Sequence, residues 1–317
     1  MNKEKLLGVT PLPELIIRKI YYSDNFVVKK IMLFLKTKSF RKKMEQQNDL
    51  LEDSAKWDYI KKHIENLNIQ KGDILIVHSS TDELSKIGIN PNEVLQFLYE
   101  LVGESGTLAI PCFPLYDNKS YDASRNAYVY NPKRTICSTG MLPNLFMRTK
   151  GVCRSQFPWN TLAAKGPLAE SMMEHNMSTD LPHGKGSAWE FCMNHNAKIL
   201  LLGVKSSHTT TMVHVAEDIL DKEWPIDDWY EERLFIVKDG SCEVEKQIRV
   251  RKQKWAKYNA SWYRSNKFIK MGILNEEEVE GFNIGFIEDS KAMVDFIIER
   301  TLKHKSFFVV PKRCYKK

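Results

Sequence analysis

Three short stretches of the chain are apolar with almost no alternation: Ile74–His78, Gly106–Pro111 and Lys198–Val204. A strand covered on one face alternates with period two, so unbroken runs of this length predict strands in the middle of a sheet that is buried on both faces. The intervening segments repeat at helical spacing and predict helices over Trp57–Leu67, Asn92–Leu101, Met141–Arg148 and Met212–Leu220. Strands and helices in this rhythm predict an α/β sandwich. Past the last helix, Arg233–Val237 and Glu243–Val250 flank Lys238-Asp239-Gly240 and predict an antiparallel hairpin on an Asp-Gly turn.

The N-terminal region has a different pattern. Across Pro11–Leu35, Leu15, Ile16, Ile20, Phe26, Val27, Ile31 and Leu33 are mixed with Arg18, Lys19, Lys29 and Lys30. This spacing predicts two short amphipathic helices broken near Ser23–Asn25. Residues 1–47 hold eleven Lys/Arg against four Asp/Glu, and that +7 equals the formal charge of the whole chain, so the remainder is neutral. Two readings of the extension stand: a basic segment resting on an anionic membrane surface, or a helical pair packed on the body or on a second subunit. A neutral body gives no reason to expect nucleic acid as a partner.

Composition narrows the class further. With 317 residues, 43% hydrophobic and 27% charged, the chain can bury a substantial core. Six scattered cysteines without a Cys-x-x-Cys pair argue against a zinc ribbon or a disulfide framework and fit a reduced, cytoplasmic setting. No signal-peptide pattern is seen, and no apolar run is long enough to span a bilayer. Neither a Walker motif nor a dinucleotide glycine fingerprint occurs, which leaves nucleotide-cleaving and NAD-dependent roles without support.

Three segments carry candidate chemistry. In Thr211-Met212-Val213-His214-Val215-Ala216-Glu217, residues three apart share a helix face, so Thr211, His214 and Glu217 form one row just beyond a buried strand. A histidine beside a carboxylate is an oriented general base, and a hydroxyl one turn away can donate to a developing oxyanion. Val77-His78-Ser79-Ser80-Thr81 also follows a buried strand; it is read either as a source of donors to a phosphate or as a plain strand-to-loop turn. Phe157-Pro158-Trp159-Asn160-Thr161 offers aromatic faces for a sugar-binding wall, or a packed loop.

Taken in order, these segments resemble the antibiotic N-acetyltransferase family that includes the aminoglycoside 3-N-acetyltransferases. The resemblance runs from about Trp57 to residue 300. It rests on Lys71-Gly72-Asp73 leading into Val77-His78-Ser79-Ser80, on Gly106-Thr107-Leu108-Ala109-Ile110-Pro111, and on Ser138-Thr139-Gly140 before a helix. It continues through Arg154-Ser155, Ala163-Ala164-x-Gly166, and Leu200-Leu201-Leu202-Gly203-Val204 followed by Thr211-x-x-His214-x-x-Glu217.

The resemblance implies a three-layer α/β/α sandwich with a mixed central sheet, distinct from the GNAT acyltransferases, behind an N-terminal helical extension. It divides the chain into an extension over residues 1–56 and an acyltransferase domain over 57–317. Within that domain, 57–220 would hold the coenzyme A-binding and catalytic core, and 221–317 the hairpin and acceptor side. It implies direct transfer from acyl-CoA with no metal: His214 as base, Glu217 orienting it, Thr211 near the thioester carbonyl. His78, Ser79, Ser80, Ser138, Thr139 and Gly140 would contact coenzyme A.

The sequence departs from the family after Arg154-Ser155, where His-Pro-x-x-Ser is common and Phe157-Pro158-Trp159-Asn160-Thr161 stands here. Phe157 and Trp159 are accordingly expected on the acceptor side. Basic and aromatic residues crowd Gln247–Lys270, with Arg249, Arg251 and Lys254 expected to face a pyrophosphate. The expected acceptor is therefore a nucleotide-linked amino sugar used in surface polysaccharide synthesis, with acetyl or 3-hydroxybutanoyl as the acyl group. The alternative is an aminoglycoside; a homodimer is one assembly considered, and the sequence does not fix the oligomeric state. A tethered binding protein with an inactive site is the reading from another class; the intact row of Thr211, His214 and Glu217 argues against it.

Overall fold

The computed structural model describes residues 7–23, 25, 28, 30 and 54–316. The three apolar runs form β1 (Ile74–Ser79), β2 (Thr107–Pro111) and β7 (Lys198–Leu202), which pair parallel with β1 in the middle. Between β2 and β7 lie β3 (Tyr121–Asp122), β4 (Ala127–Tyr130), β5 (Cys153–Arg154) and β6 (Leu162–Lys165). After β7 come β8 (Tyr230–Asp239), β9 (Cys242–Arg251), β10 (Asn275–Val279) and β11 (Phe282–Ile287).

The main sheet has seven strands in the order β10-β11-β7-β1-β2-β6-β5. Its parallel centre is flanked by antiparallel pairs on both sides, so the sheet is mixed. Apolar side chains of β1 divide between two cores. Leu75 and Val77 pack with the helices Pro91–Val102 and Met141–Phe146, while Ile74 and Ile76 pack with Ala188–Asn194, Val215–Leu220 and Ser290–Leu302. Helices thus cover both faces, which is why β1 lacks alternation. The acceptor-side region is not separate from this sheet, since β11 pairs directly with β7.

A second sheet, β3-β4-β8-β9, is built around the long β8–β9 hairpin. Its turn is Gly240-Ser241, one residue later than the sequence suggests. Asp239 and Cys242 close the ladder, and Gly240 at φ 62 supplies the left-handed conformation that the turn needs. Phe235, Ile248 and Val250 of the hairpin bury Phe157. The edge of β9 is tied down where Arg249 N donates to Asp180 O at 2.8 Å.

Of the two predicted N-terminal helices, the first is Pro11–Tyr21; the second falls largely outside the described residues. The first helix is fixed to the body by Glu14, which is fully buried. Its Oε2 accepts from Trp262 N and Tyr263 N at 2.9 and 3.1 Å, and its Oε1 from Ser261 Oγ at 3.2 Å. Helix Ser261–Lys270 begins after Ala260, which has no side chain to cap it. Glu14 therefore satisfies, from the far end of the sequence, amide groups that a local cap would normally satisfy.

Candidate active site

The site lies beyond the C-terminal ends of β1 and β7, the edge where α/β sheets collect ligands. The predicted helix Met212–Leu220 is not one α-helix. Thr211–His214 is a turn of 3-10 helix, and the α-helix Val215–Leu220 follows it. In a 3-10 turn residues three apart eclipse one another, so Thr211 and His214 still stand in register. Met212 and Val213 of the same turn are buried and lock it to the core.

Two cavities meet this turn. One, of about 270 Å³, is lined by Val77, His78, Ser79, Ile110, Phe113, Thr139 and Thr211, among others. The other, of about 190 Å³, is lined by Trp159, Asn160, His183, His214, Glu217, Asp218 and Arg251, among others. A third, of about 440 Å³, adjoins both, sharing Phe113 with the first and Trp159 and Asn160 with the second.

His214 Nδ1 lies 2.6 Å from Glu217 Oε1 and 3.2 Å from an Arg251 guanidinium nitrogen, which is itself 3.5 Å from Glu217 Oε2. The carboxylate fixes the proton on Nδ1 and leaves Nε2 as the basic edge. Burial holds the His214 imidazole below its ordinary range; Glu217 works to raise it and Arg251 to lower it. For Glu217, burial acts to raise the carboxyl, but His214 and Arg251 outweigh it and keep the group ionised. The result is a neutral, oriented imidazole at neutral pH.

The expected donor-side residues divide. His78, Ser79 and Thr139 line the larger cavity. His78 Nε2 and Ser79 Oγ are buried there without a hydrogen-bond partner, and burial lowers the His78 imidazole to about 3, so it stays neutral. Such orphaned groups in an otherwise apolar cleft suit a ligand with amide and carbonyl groups, and an acyl-pantetheine arm has both. Ser138 lines the third cavity, and Ser80 and Gly140 line none of the three; all three residues also have structural tasks. Ser80 Oγ accepts from Glu83 N to cap the helix Thr81–Lys86, and Ser138 Oγ donates to Phe113 O at 3.1 Å. Gly140 precedes helix Met141–Phe146 at φ 116, and an added Cβ would stand 3.0 Å from Thr81 Oγ1.

On the other side, Trp159 faces the smaller cavity, whereas Phe157 is buried beneath the hairpin as a packing residue. Only Arg251 of the three expected cations reaches the cavity. Arg249 is held between Asp180 and Asp221 at 2.5 and 2.6 Å, and Lys254 pairs with Asp228. Arg249 and Lys254 are thus engaged by carboxylates of other segments and do not line the smaller cavity, a correction to the sequence reading.

Two residues absent from that reading complete the cavity. His183 Nδ1 lies 2.9 Å from Asp218 Oδ2, and its ring centroid is 5.5 Å from that of His214. Asp218 follows Glu217 directly, so two consecutive carboxylates serve two different histidines. Among the described residues no group of three or more His, Cys, Asp or Glu could hold a metal ion.

Fold and site together define an α/β protein with a histidine–carboxylate pair between two cavities at the edge of a mixed sheet. The profile of the family described as aminoglycoside 3-N-acetyltransferase matches residues 76–297, and the chain belongs to this family. Similar curated proteins include aminoglycoside N(3)-acetyltransferase IX of Micromonospora chalcea, 31% identical over 175 residues, covering 51% of this chain and 61% of that one. Aminoglycoside N(3)-acetyltransferase III of Acinetobacter baumannii is 30% identical over 178 residues, with 51% and 60% covered. The chain thus spans about three fifths of the length of these relatives. Solved structures share the fold. Aminoglycoside acetyltransferase AAC(3)-Xa superposes with a TM-score of 0.67 at 21% identity, covering 83% of this chain and 99% of that one. AAC-IIIb, recorded as a binary complex with CoASH, gives 0.66 at 19%, with 80% and 97% covered.

Proposed function

We propose that the protein is an acyl-CoA-dependent N-acyltransferase acting on the amine of an amino sugar by direct transfer. One observation carries this reading: a single turn presents Thr211 to one cavity and His214 to the next, so a thioester and an amine can meet between them. Family membership and the relatives' names support the same class.

An amino sugar arrives largely as R–NH3+, which has no lone pair to attack with. His214 Nε2 takes one proton, and Glu217 stabilises the imidazolium through Nδ1. The freed nitrogen adds to the thioester carbonyl carbon; Thr211 Oγ1, whose existing bond to Thr209 O is long at 3.4 Å, turns to donate to the developing oxyanion. The C–S bond then breaks, coenzyme A leaves as its thiol, and one proton is released overall. Holding both reactants in line supplies much of the acceleration. The acyl group is acetyl or of the 3-hydroxybutanoyl type.

The relatives' names favour an aminoglycoside as acceptor. A specific observation favours a second reading, a nucleotide-linked amino sugar: Arg251 puts a cation in the acceptor cavity, and Glu217 and Asp218 are both engaged by histidines instead of being open to a polycation. A coenzyme A-release assay pairing acetyl-CoA and 3-hydroxybutanoyl-CoA with both acceptor classes tests the proposal. Release that depends on acceptor and on His214 is expected. No release with any pair overturns the reading.

A further inference from the structure

We infer that His183, aimed by Asp218, is the amine-holding group of the acceptor cavity: its Nε2 lone pair grips the incoming ammonium while His214 removes a proton. This rests on the amine-acylation reading above and adds a substrate contact to it.

The argument begins at Asp218, which is nearly buried, with a relative exposure of 6%. Its Oδ2 accepts from the backbone N–H of His183 at 2.9 Å and faces His183 Nδ1 at the same distance. Its Oδ1 accepts from Tyr230 OH at 3.0 Å. Burial and the neighbouring Asp218 and Glu217 push the Tyr230 phenol far up, so it remains a donor. An ionised carboxylate has only acceptor sites, so the proton of the His183–Asp218 contact sits on Nδ1 and Nε2 keeps its lone pair. Asn160 agrees with this assignment: its Nδ2, a donor, lies 3.2 Å from His183 Nε2. The backbone of Asn160 is held, with φ at 46 and its carbonyl accepting from Trp189 Nε1 at 2.7 Å, so only its side-chain amide turns aside when the ammonium takes its place on Nε2.

The cavity therefore contains two imidazoles, each oriented through Nδ1 by its own carboxylate, with centroids 5.5 Å apart. The incoming nitrogen is accordingly assigned to the space between the two rings, in contact with each. The two cannot be equivalent. Glu217 is shared with Arg251 and His214 lies on the turn that carries Thr211, whereas His183 lies on a loop away from the donor cavity. An ammonium has three N–H bonds. One is lost to His214; a second, kept on His183, stops rotation about the C–N bond and points the new lone pair at the thioester. No bond to His183 is made or broken.

Two substitutions and one spectrum test this. His183→Phe keeps a ring but no acceptor, and His183→Gln restores an acceptor near the place of Nε2. The probes are sisomicin and a nucleotide-linked amino sugar. His183→Phe should raise the acceptor's KM roughly 10–100-fold, the range of one charge-assisted hydrogen bond. The KM for acyl-CoA should stay put, and His183→Gln should recover most of the loss. An unchanged acceptor KM, or equal losses in Phe and Gln, overturns the inference. If His183→Phe does not fold, ¹⁵N spectra of the histidine-labelled wild-type protein still decide: a proton on Nδ1 is expected, and one on Nε2 overturns it. Calorimetry without acyl donor makes the same comparison on binding alone. Absence of turnover with intact, His183-dependent binding would sink the transfer reading and keep this one; binding of neither probe would sink this one.

Discussion

At the scale of single residues, the proposed chemistry rests on His214 and its neighbours. Replacing His214 by alanine should lower turnover roughly 10²–10⁴-fold, the usual contribution of a positioned base, with coenzyme A binding preserved; single-turnover and binding assays check the two halves. The pH profile tests the electrostatics. Activity requires neutral His214, whose imidazole is depressed, so the acidic limb should fall below the ordinary imidazole value of about 6.5. Arg251→Gln removes a cation that opposes protonation and should move that limb to higher pH. Glu217→Gln removes an anion that favours protonation and should move it to lower pH. Limbs that shift together, or not at all, would contradict the assigned contacts. Thr211, His214 and Glu217 were legible in the sequence because their spacing of three survives the change from α to 3-10 helix. His183 was not. Its partner Asp218 is thirty-five positions away, and a His in a Pro-Gly loop carries no period.

At the scale of elements, the parallel strands were readable because strands buried on both faces leave unbroken apolar runs. The outer strands were not: β10 reads Asn-Glu-Glu-Glu-Val, and its place is set by pairing with β11. Nor was the cap on helix Ser261–Lys270, since Glu14 lies 247 residues from Ser261. That cap makes a forecast. Glu14→Ala leaves the Trp262 and Tyr263 amides without their acceptor and should cost about 1–3 kcal/mol. Denaturant unfolding should show the loss while kcat is unchanged; a fall in kcat at constant stability would place the helix in catalysis.

At the scale of the whole molecule, the first helix buries Glu14 and Leu15 and turns other apolar side chains outward. Its carboxylate is buried, while Leu12, Ile16 and Ile20 are 67, 60 and 49% exposed. Residues 1–47 also carry the charge excess of the chain, and an apolar stripe with basic residues in the same segment is the pattern of a helix that lies on an anionic lipid surface. Flotation with anionic vesicles at low salt is the expected result, reduced by high salt and abolished by Ile16→Asp. A concentration-dependent dimer that Ile16→Asp splits, without flotation, would assign the stripe to a second copy instead. No helix among the described residues is long and apolar enough to cross a membrane.

The turn Thr211–His214 has a consequence for how the protein can change. In the proposed mechanism the spacing between donor and acceptor is set by four consecutive residues, whereas separate loops around Thr139 and Trp159 supply part of each cavity's wall. Either wall can be rebuilt without disturbing the distance that matters. New acceptors become accessible by drift in one loop, with the reaction itself inherited intact.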